Sequence, residues 1–261
     1  MLRLVRSCII FVSTGMNRFL GYPFSSKMLN LHRYFVLLFT LTLERSIMKE
    51  PLLRTENLKF KYGINAEELT FDEINITSGQ HTLFLGDSGT GKTTLLHLLG
   101  GLSRPTLGKV FIDGMDLYHL NDSKLDIFRA QNIGFIFQEA HLLNNLTVLE
   151  NSLLAQSLAK HKVDKTEVHT VLTQLQIADK SSSYPQDLSR GQLQRAAIAR
   201  AVINRPRLII ADEPTAALDD KNTNRVIDLL LDTAQNYNAT LLIATHDKRL
   251  KNHFSNTYIL K

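Results

Sequence analysis

The sequence predicts an α/β fold built on a parallel sheet, and three observations carry that expectation. After residue 48, short apolar runs alternate with segments of helical spacing. Two of the runs, Leu208 to Ala211 and Thr240 to Ala244, lack a polar face, as strands buried between helices require. The polar motifs directly follow apolar runs, and parallel sheets gather ligands at the carboxyl ends of their strands.

The elements follow in order. Residues 53–62 and 69–77 read as two strands joined by a polar loop, and Thr82 to Gly86 as a short apolar strand. Lys92 to Leu99 reads as a helix closed by Gly100-Gly101. Lys109 to Ile112 is a strand turned at Asp113-Gly114, and Ile133 to Phe137 is again strand-like. From Leu146 to about Asp179 the spacing becomes helical, with an acidic-basic face, which reads as a helical insertion at about residues 140–190. Gln192 to Val202 is a further helix, and Thr223 to Tyr237 is an amphipathic one.

The chain has 261 residues, 44% of them hydrophobic, enough to bury a large core. Its net charge of +5 is unevenly placed. Residues 1–47 hold six basic residues (Arg3, Arg6, Arg18, Lys27, Arg33, Arg45) and one acid, Glu44. Removing these from the 30 basic and 25 acidic residues of the chain leaves 24 of each in residues 48–261. That balance argues against a nucleic-acid partner, which calls for a basic face on the folded module. Residues 1–47 are expected to be a leader outside the folded domain, with Met48 as the natural start and residues 48–261 as the domain. The single cysteine, Cys8, lies in this leader and excludes an intramolecular disulfide. No run reaches the roughly 18 apolar residues of a membrane span. Tyr34 to Leu43 is too short and carries two threonines, and no small-residue cleavage site follows the apolar run Cys8 to Val12.

Gly86-Asp87-Ser88-Gly89-Thr90-Gly91-Lys92-Thr93-Thr94 follows a strand and opens a helix. Glycines at these positions let backbone N–H groups wrap a phosphate, and the helix N-terminus adds positive potential. Lys92 is expected to reach the β- and γ-phosphates of ATP, and Thr93 to ligate Mg²⁺. The fixed positions match by chance in a chain of this length roughly one time in a hundred, so the loop speaks strongly for a nucleotide. Asp212-Glu213-Pro214 ends an apolar strand. Asp212 fits a second Mg²⁺ anchor and Glu213 a general base acting on water.

Leu188-Ser189-Arg190-Gly191-Gln192 precedes Asp212, with Gly191 21 positions before it, and Ser189 suits a helix N-cap. With this motif at this spacing, residues 53–261 resemble the ABC transporter ATPase family. In that family an LSGGQ signature stands just upstream of the acidic strand. The resemblance implies a P-loop NTPase core with a mostly parallel sheet, an antiparallel β subdomain and a helical insertion. It places Tyr62 where an aromatic stacks on adenine and Gln138 at the start of the Q-loop, near the cation and the attacking water. Ser189, Gly191 and Gln192 fall in the signature, Asp219 in the D-loop, and His246 at the switch histidine beside Glu213. It also implies a second ATPase copy, with each ATP between the phosphate loop of one and the signature of the other, and integral membrane partner subunits. The expected location is the cytoplasmic face of the cell (inner) membrane. Phe137 to Leu143, Leu146 to Asn151 and Ala211 to Asp219 resemble the bacterial lipoprotein-releasing and macrolide-export group. Two positions depart from the pattern: Arg190 replaces the first signature glycine, and Asn144 stands where proline is frequent. The competing readings are a soluble ABC ATPase acting on ribosomes or nucleic acid, and a non-hydrolysing nucleotide-binding regulator. A single ATPase domain and neutral charge oppose the first; Glu213 and His246 oppose the second.

Overall fold

A computed structural model describes residues 50–63, 65–216 and 218–261. The expectations for the leader, Cys8 and Met48 lie outside these residues. In chain order the elements are β1 (Leu53–Phe60), β2 (Leu69–Thr70), β3 (Asn75–Ile76), β4 (Thr82–Leu85), α1 (Lys92–Leu99), β5 (Leu107–Ile112) and β6 (Met115–Asp116). Then come α2 (Asp122–Asn132), β7 (Ile133–Ile136), α3 (Val148–Leu158), α4 (Lys165–Gln174), α5 (Arg190–Val202), β8 (Leu208–Asp212), α6 (Asp220–Asn236), β9 (Thr240–Thr245) and β10 (Asn256–Ile259).

The central sheet runs β10-β4-β9-β8-β7, and every pairing in it is parallel. Strands β4, β8 and β9 are apolar on both faces for a visible reason. Leu83, Leu85, Ile209, Ala211, Leu241 and Ile243 pack into one core with α3, α4, α5 and α6. The residues between them, Phe84, Leu208, Ile210, Leu242 and Ala244, turn to the other core. There they meet Leu95, Leu96, Leu98 and Leu99 of α1 and the inner residues Leu53, Ile76, Val110 and Ile112 of a second sheet. The two-residue period of a strand thus divides the sheet between two buried layers. The second sheet is antiparallel, ordered β2-β1-β5-β6, with β3 also on β1. The architecture is the α/β class that the sequence predicts.

Several boundaries differ, each for a local reason. The expected strand 69–77 is two short strands around exposed Asp72 and Glu73. Both follow β1, which is itself irregular between Glu56 and Lys59, where Asn57 takes a φ of 46°. The expected strand 53–62 ends at Phe60, which leaves Tyr62 in the following turn. The long helical stretch breaks into α3 and α4, because Lys160 turns left-handed and the Asp164 carboxylate caps α4 through Thr166 N and Glu167 N. Helix α2 has no counterpart in the sequence reading: it buries only Leu125, so it carries almost no apolar period. Edge strand β10 was equally silent, its Asn256 and Thr257 giving no apolar run.

Candidate functional site

Register places the site. Leu85 pairs with Thr245, Asp212 with Ala244, and Ala211 with Ile136. The residues just beyond these four strand ends are Gly86, His246, Glu213 and Phe137-Gln138. Parallel pairing therefore delivers the phosphate loop, both carboxylates, the histidine and the glutamine to one edge of the sheet.

The loop from Gly86 to Gly91 is shaped by its glycines. Gly89 and Gly91 take φ values of 88° and 84°, a region closed to most side chains. A Cβ on Gly86 would stand 2.6 Å from Thr90 Oγ1 and 2.9 Å from Leu260 O. Helix α1 opens on Gly91 with no side-chain cap, so its first N–H groups face the loop. Lys92 is buried and folds back over the loop, its Nζ donating to Gly86 O (3.0 Å) and Asp87 O (2.8 Å). The same ammonium lies 3.6 Å from Glu213 Oε1.

The carboxylates are set differently. Thr93 Oγ1 donates to Asp212 Oδ2 at 2.7 Å, while Asp212 Oδ1 is buried without a hydrogen-bond partner. Burial, followed by the neighbouring Glu213 charge, raises the Asp212 carboxyl above its ordinary range, against the Thr93 hydrogen bond. Glu213 takes a φ of 45°, a conformation uncommon for a residue with a side chain. Its backbone N–H is tied to Ala244 O at 2.8 Å. Its side chain accepts from Thr245 Oγ1 (2.8 Å) and His246 N (3.2 Å), and His246 Nδ1 lies 3.0 Å from Oε1. Backbone strain at a residue so tightly held is characteristic of functional sites.

The remaining expected residues lie around this centre. Gln138 is exposed in a groove of about 780 Å³ that is also lined by exposed Arg190 and half-buried Phe137, Gln194 and Glu213. Its side chain is not bonded to Thr93 or Asp212. Ser189 caps α5, accepting from Gln192 N, and the Gln192 side chain reaches back to accept from Ser189 N at 2.9 Å. Gln192 is thus engaged in its own helix terminus. Gly191 faces open space. Asp219 caps α6, accepting from Asn222 N at 2.8 Å. Tyr62 is 72% exposed; its hydroxyl is hydrogen-bonded to Thr94 Oγ1, and its ring meets Phe60 edge-on at 4.9 Å. The Arg190 guanidinium turns away from the signature and donates to Ala216 O at 2.7 Å.

Three supporting residues escaped the sequence reading. Thr245 holds the Glu213 carboxylate from the end of β9. Arg249 grips Asp247 with Nε and Nη2, bonds Asp220, and reaches Leu218 O and Thr223 Oγ1. This hydrogen bonding to Arg249 holds the Asp247 carboxyl below its ordinary range. Arg200, half-buried on α5, donates to Ala140 O and His141 O beside Gln138, and desolvation lowers its pKa. Apart from the short Arg249–Asp247 contact, the bonds Thr245–Glu213, Arg249–Asp220 and Arg200 to Ala140 and His141 each join residues far apart in the chain.

Comparison with known proteins identifies the family. The family profile described as "ABC transporter" matches residues 70–216. The lipoprotein-releasing system ATP-binding protein LolD of Buchnera aphidicola subsp. Schizaphis graminum is 39% identical over 203 residues, covering 76% of this chain and 89% of that protein. The bacitracin export ATP-binding protein BceA of Halalkalibacterium halodurans is 37% identical over 215 residues, covering 80% and 85%. Among solved structures, a dimeric post-hydrolysis state of the ATP-binding cassette MJ0796, bound to ADP and Pi, superposes with a TM-score of 0.72 at 32% identity, covering 80% of this chain and 94% of that one. CbiO1 from Clostridium perfringens, part of an ABC transporter complex, gives 0.71 at 27% identity, covering 81% and 85%. The chain belongs to the ABC transporter family, as an ATP-binding and ATP-hydrolysing subunit.

Proposed function

We propose that this subunit works as one half of a head-to-tail pair, driving membrane partner subunits from the cytoplasmic face of the cell membrane. Each ATP lies between the Gly86–Thr94 loop of one copy and Ser189-Gly191 of the other, so a single chain holds two unmatched halves of a site. The observation that carries this reading is the exposed, capped N-terminus of α5, which offers Ser189 and Gly191 outward. Among the described residues no helix is long and apolar enough to cross a membrane. The relatives named for lipoprotein release and for bacitracin export favour work of that kind here.

The residues present fit a divalent cation beside the nucleotide. Asp212 Oδ1 is a buried acceptor without a partner, and Thr93 Oγ1 touches the other carboxylate oxygen. Among the described residues no cluster of three or more His, Cys, Asp or Glu side chains gathers. That suits Mg²⁺, which is commonly held by one or two carboxylates together with substrate phosphates and water. Asp212, Thr93 and Gln138 would hold it, and its charge would neutralise that of the phosphates. Lys92 and the free N–H groups of α1 bind the β- and γ-phosphates, and exposed Tyr62 stacks on the adenine. Glu213 accepts the proton of the attacking water, while His246, fixed against it through Nδ1, orients that water and the γ-phosphate. Gln138, together with α3 and α4, passes the γ-phosphate's presence to the membrane subunits.

The test is Glu213→Gln in the purified chain. The amide keeps the shape and loses the base, so ATP binding persists, turnover falls by roughly 10²- to 10⁴-fold, and ATP traps a dimer by sedimentation. Wild-type turnover removes Glu213 from this role, and a stalled monomer removes the paired site.

A further inference from the structure

We propose that Arg190 is a positioning residue for hydrolysis: with Gln194 it clamps the Glu213-bearing loop onto α5. The inference rests on the reading of Glu213 as the base.

Arg190 occupies the first helical position of α5 and is exposed. A cation there opposes the positive end of the helix dipole, so the helix gains nothing from the charge. Nor does α5 need it as a cap, since Ser189 and Gln192 already close that terminus on one another. What the guanidinium does reach is the loop after β8, donating from Nη2 to Ala216 O at 2.7 Å. One helical turn further, Gln194 Nε2 donates to Pro214 O at 3.0 Å. Residues four apart lie on one helix face, so the two side chains act as paired struts on the same loop. The loop begins with Glu213 in its left-handed conformation, which persists only where surrounding contacts impose it. Within it, Thr215 Oγ1 is buried without a hydrogen-bond partner. The loop's own side chain therefore leaves a polar group unused, and the struts from α5 fix two of its carbonyls from outside. A glycine at position 190 has no side chain to form the first strut. The departure from LSGGQ thus adds a direct link from the signature helix to the chain's own base.

The measurement is steady-state ATP hydrolysis by the full chain, with thermal melts alongside. Arg190→Gly is expected to lower kcat roughly tenfold, the order of loss that small misplacements of a reacting group produce. KM for ATP stays at its wild-type value, and the melting temperature falls by only a few degrees, so the chain remains folded at the assay temperature. Arg190→Lys, whose ammonium can donate to the same carbonyl, recovers most of the rate. Gln194→Leu lowers kcat as well, and the double variant loses less than the product of the two, because both act on one loop. An Arg190→Gly chain at or above the wild-type kcat overturns the inference. So does a raised KM with unchanged kcat, which would place the guanidinium on nucleotide. Glu213→Gln measured in parallel separates the failures. If it turns over normally, the base assignment fails and the inference falls with it. If it stalls while Arg190→Gly does not slow, the inference alone fails.

Discussion

Asp212 has two oxygens with different surroundings. Oδ2 accepts from Thr93 and Oδ1 is buried without a partner, while burial and the adjacent Glu213 raise its pKa. An anion held against its own desolvation is a site prepared for positive charge. Thr93→Val keeps the shape and removes the hydroxyl from the Asp212 carboxylate and from the proposed cation. We expect ATP binding to survive while the Mg²⁺ concentration for half-maximal hydrolysis rises on the order of tenfold or more, the loss typical of altered metal-site contacts. An unchanged Mg²⁺ titration would remove Thr93 from the cation. Lys92, Thr93, Asp212 and Glu213 are legible in the sequence because each stands in a local motif whose spacing carries its chemistry. Thr245 and Arg249 are not, because their partners, Glu213 and Asp220, lie 32 and 29 residues away in the chain. Only the register of β8 against β9 brings the first pair together.

Helix α5 sets the arrangement of the site at the next scale. It reaches the loop after β7 through Arg200 and the loop after β8 through Gln194 and Arg190. It can do so because it packs closely over β7 at Gly134, where an added Cβ would stand 2.4 Å from Ala201 O. Since the obstacle is backbone, Gly134→Ala must push α5 outward. A loss of about 1–3 kcal/mol by denaturant unfolding is expected, with reduced hydrolysis, and a neutral substitution would contradict the close packing. A second tie joins elements at the other side of Glu213. Arg249 links Asp247, after β9, to Asp220 at the start of α6. The Asp247 pKa is lowered by this contact from its ordinary value of 3.8. The tie's contribution to stability is therefore complete above pH 3.8 and is lost as pH falls through the folded-state value. Arg249→Met should melt lower than wild type at neutral pH, with the gap narrowing once pH drops below 3.8; a gap independent of pH would exclude this origin. Strands β4, β8 and β9 of the central sheet were readable because both faces are apolar, whereas α2 and edge strand β10 bury too little to leave a period.

For the whole molecule, the decisive feature is that one chain carries a phosphate loop and a signature that serve different ATP molecules in the proposed pair. This can be tested by complementation. Lys92→Met disables the phosphate loop and leaves the signature intact. Ser189→Asp disables the signature by setting a carboxylate against phosphate, yet aspartate remains a good N-cap, so α5 stays formed. Each variant alone forms pairs in which both shared sites are broken. A mixed pair joins the intact loop of one copy to the intact signature of the other and regains one working site. At equal mixing and random pairing, half the pairs are mixed, so about a quarter of the wild-type sites are restored, provided the two sites act independently. Recovery should follow that mixing curve and vanish when either variant is in large excess. If each chain instead completed its own site, no ratio of the two variants would restore hydrolysis.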